Sequence, residues 1–220
     1  MPVAKTVTLY SFEELDTPIQ DSIISSYVQD LPGWWSDDTE ERIKNEATAF
    51  GIRNFDFSWS GFWSQGDGLS FTGELSFKSW LFILTERLDY TEFLKICGKL
   101  PHELVQLQEN NRIVWGSCVI SRTSTQYCHE NTVEANVSDS QLGWDERRGY
   151  PSDQEIIDRV QKNVGKYLND WKNELCHRWY SELQNEYETI TERKNIVQDI
   201  STRDLLFTSC GTILDDEELV

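Results

Sequence analysis

From Asn54 to Ser60 apolar and polar positions alternate, with Phe55, Phe57 and Trp59 set against Asp56, Ser58 and Ser60. A period of two puts one set of side chains on each face of an extended chain, so this stretch predicts a strand with one wet face. The alternation returns in Leu69, Phe71, Leu75 and Phe77 against Ser70, Thr72, Glu74 and Ser76. Between the two runs, Ser64-Gln65-Gly66-Asp67-Gly68 carries the glycines and the Asp-Gly step of a hairpin loop. The segment 54–77 therefore predicts a β-hairpin with a polar tip. A second pair of strands follows over 112–138, where Val133, Ala135 and Val137 alternate with Thr132, Glu134 and Asn136.

Elsewhere the spacing is three or four. Asp16-Thr17-Pro18 supplies an N-cap and a first-turn proline, and Ile19, Ile23, Ile24 and Tyr27 mark one helical face. Past Leu31-Pro32-Gly33 and Trp34-Trp35, Asp37 or Asp38 caps a second helix with Ile43, Ala47 and Phe50 inward, ending at Gly51. The two form a local pair over 16–51. A helical region over 80–108 breaks near Gly98 and restarts after Pro101. Ser152 and Glu155 form a capping box for a long helix over 152–188, whose stripe runs from Ile156 through Val160, Val164, Leu168, Trp171, Leu175, Trp179 and Leu183 to Tyr187. Its inward aromatics read first as core. If its far end outruns the sheet, Trp179 and Tyr187 instead anchor a partner or a second copy of the chain. A small terminal hairpin over 204–214 turns at Gly211.

These elements predict an α+β fold: an antiparallel sheet of about four strands, formed by two hairpins, packed against helices, with one long C-terminal helix. No repeat or low-complexity block divides the chain, so 1–220 reads as a single domain.

Composition sharpens this picture. Nine tryptophans in 220 residues point to an aromatic core and away from disorder. The net charge of −18, from 38 acids and 20 bases, opposes attraction to nucleic acid or anionic membrane and allows a basic partner without requiring one. The acids concentrate in residues 1–50 and in the tail Asp215–Val220, which weakens a continuous phosphate mimic but leaves an acidic DNA-mimic inhibitor as a reading. Five cysteines with no CxxC pair, a polar start and no long apolar run suggest a reducing cytoplasm and no membrane span.

The tip holds the candidate site. Ser60, Trp63, Ser64, Gln65, Asp67 and Ser70 combine a stacking ring with hydrogen-bonding groups, and the glycines allow close backbone approach. Such a set suits a ring-bearing polar ligand such as a nucleotide; the alternative is a plain turn with Trp63 covering the core edge. His129 and Glu130, before the last strand of the sheet, complete the set if the two hairpins converge. The alternative for His129 is a loop histidine bonded to backbone. No structural-zinc spacing, phosphate loop, dinucleotide fingerprint or hydrolase signature is present, so we expect no catalytic residues, no metal and no cofactor. For a phosphate-bearing ligand, Arg112, Arg122, Arg147 or Arg148 would supply the positive charge.

The strings TVTLYSFEELDTPIQDSIISSY and FDFSWSGFWSQGDGLSFTGEL, with YCHENTVEANVSD and the closing LLFTSCGTIL, resemble a group of uncharacterised bacteriophage and prophage accessory proteins, often labelled antitoxin-like, with an SGFWSQGDG hairpin motif. The sequence departs from that pattern at Leu69 and over Asn131–Val133. The resemblance implies an accessory protein acting inside an infected bacterium. Three functions follow as expectations: a non-enzymatic protein that binds and neutralises a host toxin or antiviral defence component; a nucleotide-signal sponge working through the hairpin tip; and an acidic DNA-mimic inhibitor. The expected partners are a host bacterial protein or a small nucleotide ligand, with homo-oligomerisation through the long helix as a further possibility. A hydrolase using Asp67, His129 and Glu130 requires the two hairpins to meet.

Overall fold

The computed structural model describes residues 7–124, 126–143 and 151–213. Arg147, Arg148, the Ser152 side chain and the acidic tail from Asp215 lie outside the described residues. The chain divides into two compact units, 1–39 with 183–220, and 40–182. The boundaries fall within the second helix and within the long helix.

The 40–182 unit is the α+β layer that the alternation predicts. Strands β1 (Ile52–Trp59), β2 (Leu69–Leu75), β4 (Cys118–Arg122) and β5 (Val133–Val137) form one antiparallel sheet in the order β1-β2-β4-β5. The two-residue strands β3 (Ile113–Val114) and β6 (Gln141–Leu142) pair separately. Helix α2 (Asp37–Ala49) leads into β1, and α3 (Phe77–Arg87), α4 (Tyr90–Cys97) and α5 (Pro101–Glu109) follow β2. The long helix α6 (Pro151–Thr191) has 41 residues.

Phe71 and Leu75 on β2, Cys118 and Ile120 on β4 and Ala135 on β5 are buried, as are Val160, Val164, Leu168, Trp171 and Leu175 on α6. Trp179 has no exposed surface; its ring meets Phe71 at 5.2 Å and Phe55 at 5.8 Å, and its indole N–H donates to Glu46 Oε2 at 2.7 Å. Trp179 is therefore core, and it cannot serve as an anchor for a partner. Truncating such a ring costs about 3–5 kcal/mol.

One side of α6 lies along the open edge of β5. The Asn169 amide accepts from the Ala135 N–H at 2.9 Å and donates to the Ala135 carbonyl at 2.6 Å. One turn on, the buried Lys172 ammonium donates to the carbonyls of Glu130 and Val133, each at 2.6 Å. Two side chains thus take the place of a fifth strand, and the edge offers fewer free groups to another chain. Burial lowers the Lys172 pKa from its ordinary value, with nearby acids opposing the shift.

The other unit packs α1 (Thr17–Gln29) and α7 (Arg193–Thr202) around Phe12, Leu15, Ile23, Ile196, Ile200 and Phe207. The terminal segment forms single bridges, Tyr10 with Phe207 and Phe207 with Ile213, rather than full strands. It turns at Gly211, whose φ of +86° suits glycine.

Candidate functional site: the tip of the first hairpin

The tip is a folded object in its own right. The Ser60 N–H donates to the Gly68 carbonyl at 3.1 Å and closes the hairpin, and the Asp67 N–H donates to the Ser64 carbonyl across a four-residue turn. Gly66 takes the third place of that turn with φ +96°, a conformation that disfavours other residues. The Asp67 carboxylate accepts from the backbone N–H groups of Trp63, at 3.1 Å, and Ser64, at 2.6 Å. Its first role is to hold the loop.

Aromatic rings brace the tip from the side. Phe62 stacks on Trp59 at 5.6 Å, meets Tyr180 of α6 at 5.4 Å and receives Trp63 edge-on at 5.6 Å. The Tyr180 hydroxyl donates to the Gly61 carbonyl at 2.7 Å, tying the tip to the long helix. Partial burial raises the Tyr180 pKa, and the nearby Asp67 charge adds to it.

The two hairpins do converge. A Cβ on Gly68 would lie 2.7 Å from His129 Cβ and 2.9 Å from the Cys128 carbonyl oxygen, so glycine is needed for this approach. Asp67, His129 and Glu130 line one hollow of about 290 Å³, to which α6 adds Cys176, His177 and Tyr180. His129 accepts from the Asn131 N–H through Nδ1 at 3.2 Å, and its ring stacks on Tyr127 at 6.1 Å. His177 donates from Nδ1 to the Asn173 carbonyl at 2.9 Å, leaving Nε2 3.5 Å from Glu130 Oε1, an ion pair when the ring is protonated.

Trp63, Ser60, Ser64 and Gln65 do not line this hollow; Trp63 stands outside it with 70% of its surface exposed. Ser70 is fully buried with an unpartnered hydroxyl, which corrects its assignment to a ligand surface. Sequence reasoning missed His177 and Tyr180, whose spacing of three on α6 places them on one side of the helix.

The hollow is poorly suited to phosphate. Arg112 forms a two-pronged pair with Asp153, and Arg122 donates to Ser58 Oγ at 2.6 Å; neither lines it, whereas two carboxylates do. Nor does Cys176 offer an activated nucleophile, since burial pushes its thiol up to about 12. Among the described residues, no group of three His, Cys, Asp or Glu side chains is arranged to hold a metal ion. No helix among them is long and apolar enough to cross a membrane.

Residues 34–193 match the model of a family described as a domain of unknown function, DUF8835. The chain belongs to this family. The DUF8835 match contains all of 40–182, and with it the tip, the hollow and the four-stranded sheet. Comparison with curated proteins and with solved structures gave no match. In this DUF8835 chain the exposed face of the tip thus lies wholly within the matched stretch.

Proposed function

We propose that this DUF8835 protein is a non-enzymatic binding protein that docks a protein partner on the tip of its first hairpin, with Trp63 as the anchor. The observation that carries the reading is the combination of exposure and bracing: Trp63 is 70% exposed, yet its loop is fixed by Asp67, by the Phe62 stack and by the Tyr180 hydrogen bond. A large ring held in place before binding loses little conformational freedom on contact, which is why tryptophan and tyrosine dominate binding hot spots. Tyr127, 45% exposed and packed against Gly66, extends the same surface.

The net charge of −18 favours a partner with a basic face. The phage-like strings in the sequence supply the setting: the partner is a host toxin or defence component, neutralised by occupation rather than by chemistry. The two carboxylates of the hollow and the absence of an arginine among its lining residues favour this reading over a nucleotide sponge.

Quantitative pull-down from a bacterial lysate tests it. The wild-type chain is expected to retain a protein at close to one-to-one stoichiometry, and Trp63→Ala and Tyr127→Ala are expected to lose it with the fold intact by circular dichroism. Equal retention by Trp63→Ala overturns the assignment of the tip as the anchor.

A further inference from the structure

Within the unit formed by 1–39 and 183–220 lies a cavity of about 1100 Å³, built from the second half of α1, the 31–35 turn, the start of α2, the end of α6, α7 and the turn at Gly211. It does not involve the hairpin tip. Its walls carry two indole rings. Trp35 is fixed edge-on against Tyr187 at 5.5 Å, and Trp34 is 68% exposed. Leu31, Ile190 and Ile213 continue the apolar lining.

Most of the charged lining is acidic. Asp30, Asp37 and Asp38, close to Trp34 along the chain, line the same cavity, and none of the three forms an ion pair with a cation among the described residues. The single guanidinium in the lining, Arg203, is engaged with Asp199 at 3.1 Å, and Tyr27 also bonds Asp199. An anion entering here meets three carboxylates, whereas a cation meets both these and the electron-rich faces of tryptophan. At about 1100 Å³ the space lies just above the ~300–1,000 Å³ typical of small-molecule sites, and its apolar walls leave room for a ligand with an extended apolar portion.

We propose that this cavity binds an apolar organic cation, a substituted ammonium whose charged head sits between Trp34 and the carboxylates of Asp30, Asp37 and Asp38 while its hydrocarbon portion fills the Leu31, Ile190 and Ile213 side.

Cys210 provides the readout. It lines the cavity, it is exposed, and hydrogen bonds from the hydroxyls of Thr208 and Thr212 push its thiol down to about 7, whereas Cys97, Cys118 and Cys176 are buried and the half-buried Cys128 is not among the lining residues. The rate at which a maleimide labels Cys210 in the full chain is measured with decyltrimethylammonium, decanol or decyl sulfate, all below their aggregation concentrations. The ammonium is expected to protect Cys210 saturably, at least about tenfold more tightly than decanol, with no protection by the sulfate. Asp37→Asn with Asp38→Asn is expected to reduce ammonium binding to the level of decanol, and Trp34→Ala to weaken it about tenfold. These positions are exposed, so the variants are checked for an unchanged denaturation midpoint. Equal protection by all three decyl compounds, or full protection in the Asp37→Asn/Asp38→Asn variant, overturns the proposal. Protection by a lysine-bearing amphipathic peptide but not by the ammonium overturns it in favour of a peptide partner.

Discussion

The Tyr180 hydroxyl donates to the carbonyl oxygen of Gly61 at 2.7 Å, joining two residues 119 positions apart and fixing the hairpin tip to the long helix. Tyr180→Phe keeps the ring that meets Phe62 and removes only this bond. A single hydrogen bond of this kind contributes about 1 kcal/mol. The variant is expected to lose about that much in urea denaturation, with faster amide exchange over 61–67 and weaker binding of the partner captured by the wild-type tip. Unchanged exchange in the tip would show that the aromatic stack alone braces it.

Gly68 is where the tip of the first hairpin comes up against the Cys128–His129 backbone. In Gly68→Ala the new methyl would meet His129 Cβ at 2.7 Å and the Cys128 backbone at 2.9 Å, and neither is the far end of a flexible side chain. Forcing extra volume into such a contact costs about 1–3 kcal/mol. The expected outcome is a drop of that size in stability, with chemical-shift changes concentrated at 128–131. Changes confined to residues next to Gly68 in sequence would contradict the contact.

Alkaline pH should destabilise the protein through its buried thiols. Burial pushes Cys97, Cys118 and Cys176 each up to about 12 from an ordinary value of 9.0. Between these values the unfolded thiols ionise while the folded ones keep their protons, so the unfolded state binds fewer protons and stability falls as pH rises. Each thiol contributes about 1.4 kcal/mol per pH unit above 9, or roughly 4 kcal/mol for the three at pH 10. Lys172, with its pKa lowered by burial, acts in the opposite sense and offsets part of this. Urea denaturation at pH 7, 8.5 and 10 measures the slope, and Cys97→Ala/Cys118→Ala/Cys176→Ala should flatten it. A wild-type stability that holds level to pH 10 would sink the prediction.

The alternation of Phe55, Phe57 and Trp59 located β1, and that of Val133, Ala135 and Val137 located β5, because strand faces are set locally by the pleat. The same pattern placed Phe77 in a strand, but Ser76 accepts from the Ser79 N–H at 3.2 Å and caps α3, which begins at Phe77, three residues before the start expected at 80. There a local cap outweighed the period. The first of the two strands expected over 112–138 is broken at Gly116, where a Cβ would lie 2.0 Å from the Ser138 carbonyl oxygen. Stripe and length of α6 were nearly legible: Ile157 is buried where the spacing pointed to Ile156, and the helix continues to Thr191.

What the residues of SGFWSQGDG determined by themselves was a turn with glycines where the backbone requires them. The Asp67 carboxylate reaches N–H groups only three and four positions away, and such contacts follow from chain geometry. Only the tertiary structure decided that His129 and Glu130 share one hollow with Asp67. That depends on the β2 and β4 register, which pairs Gly73 with Ile120 and carries Gly68 up against Cys128 and His129. It also decided that Asn169 and Lys172 complete the edge of β5, and that segments near both ends of the chain enclose one cavity. Hydrophobic period and turn chemistry act over a few residues, whereas these juxtapositions are fixed by packing among segments tens to more than a hundred residues apart, whose register no local pattern encodes.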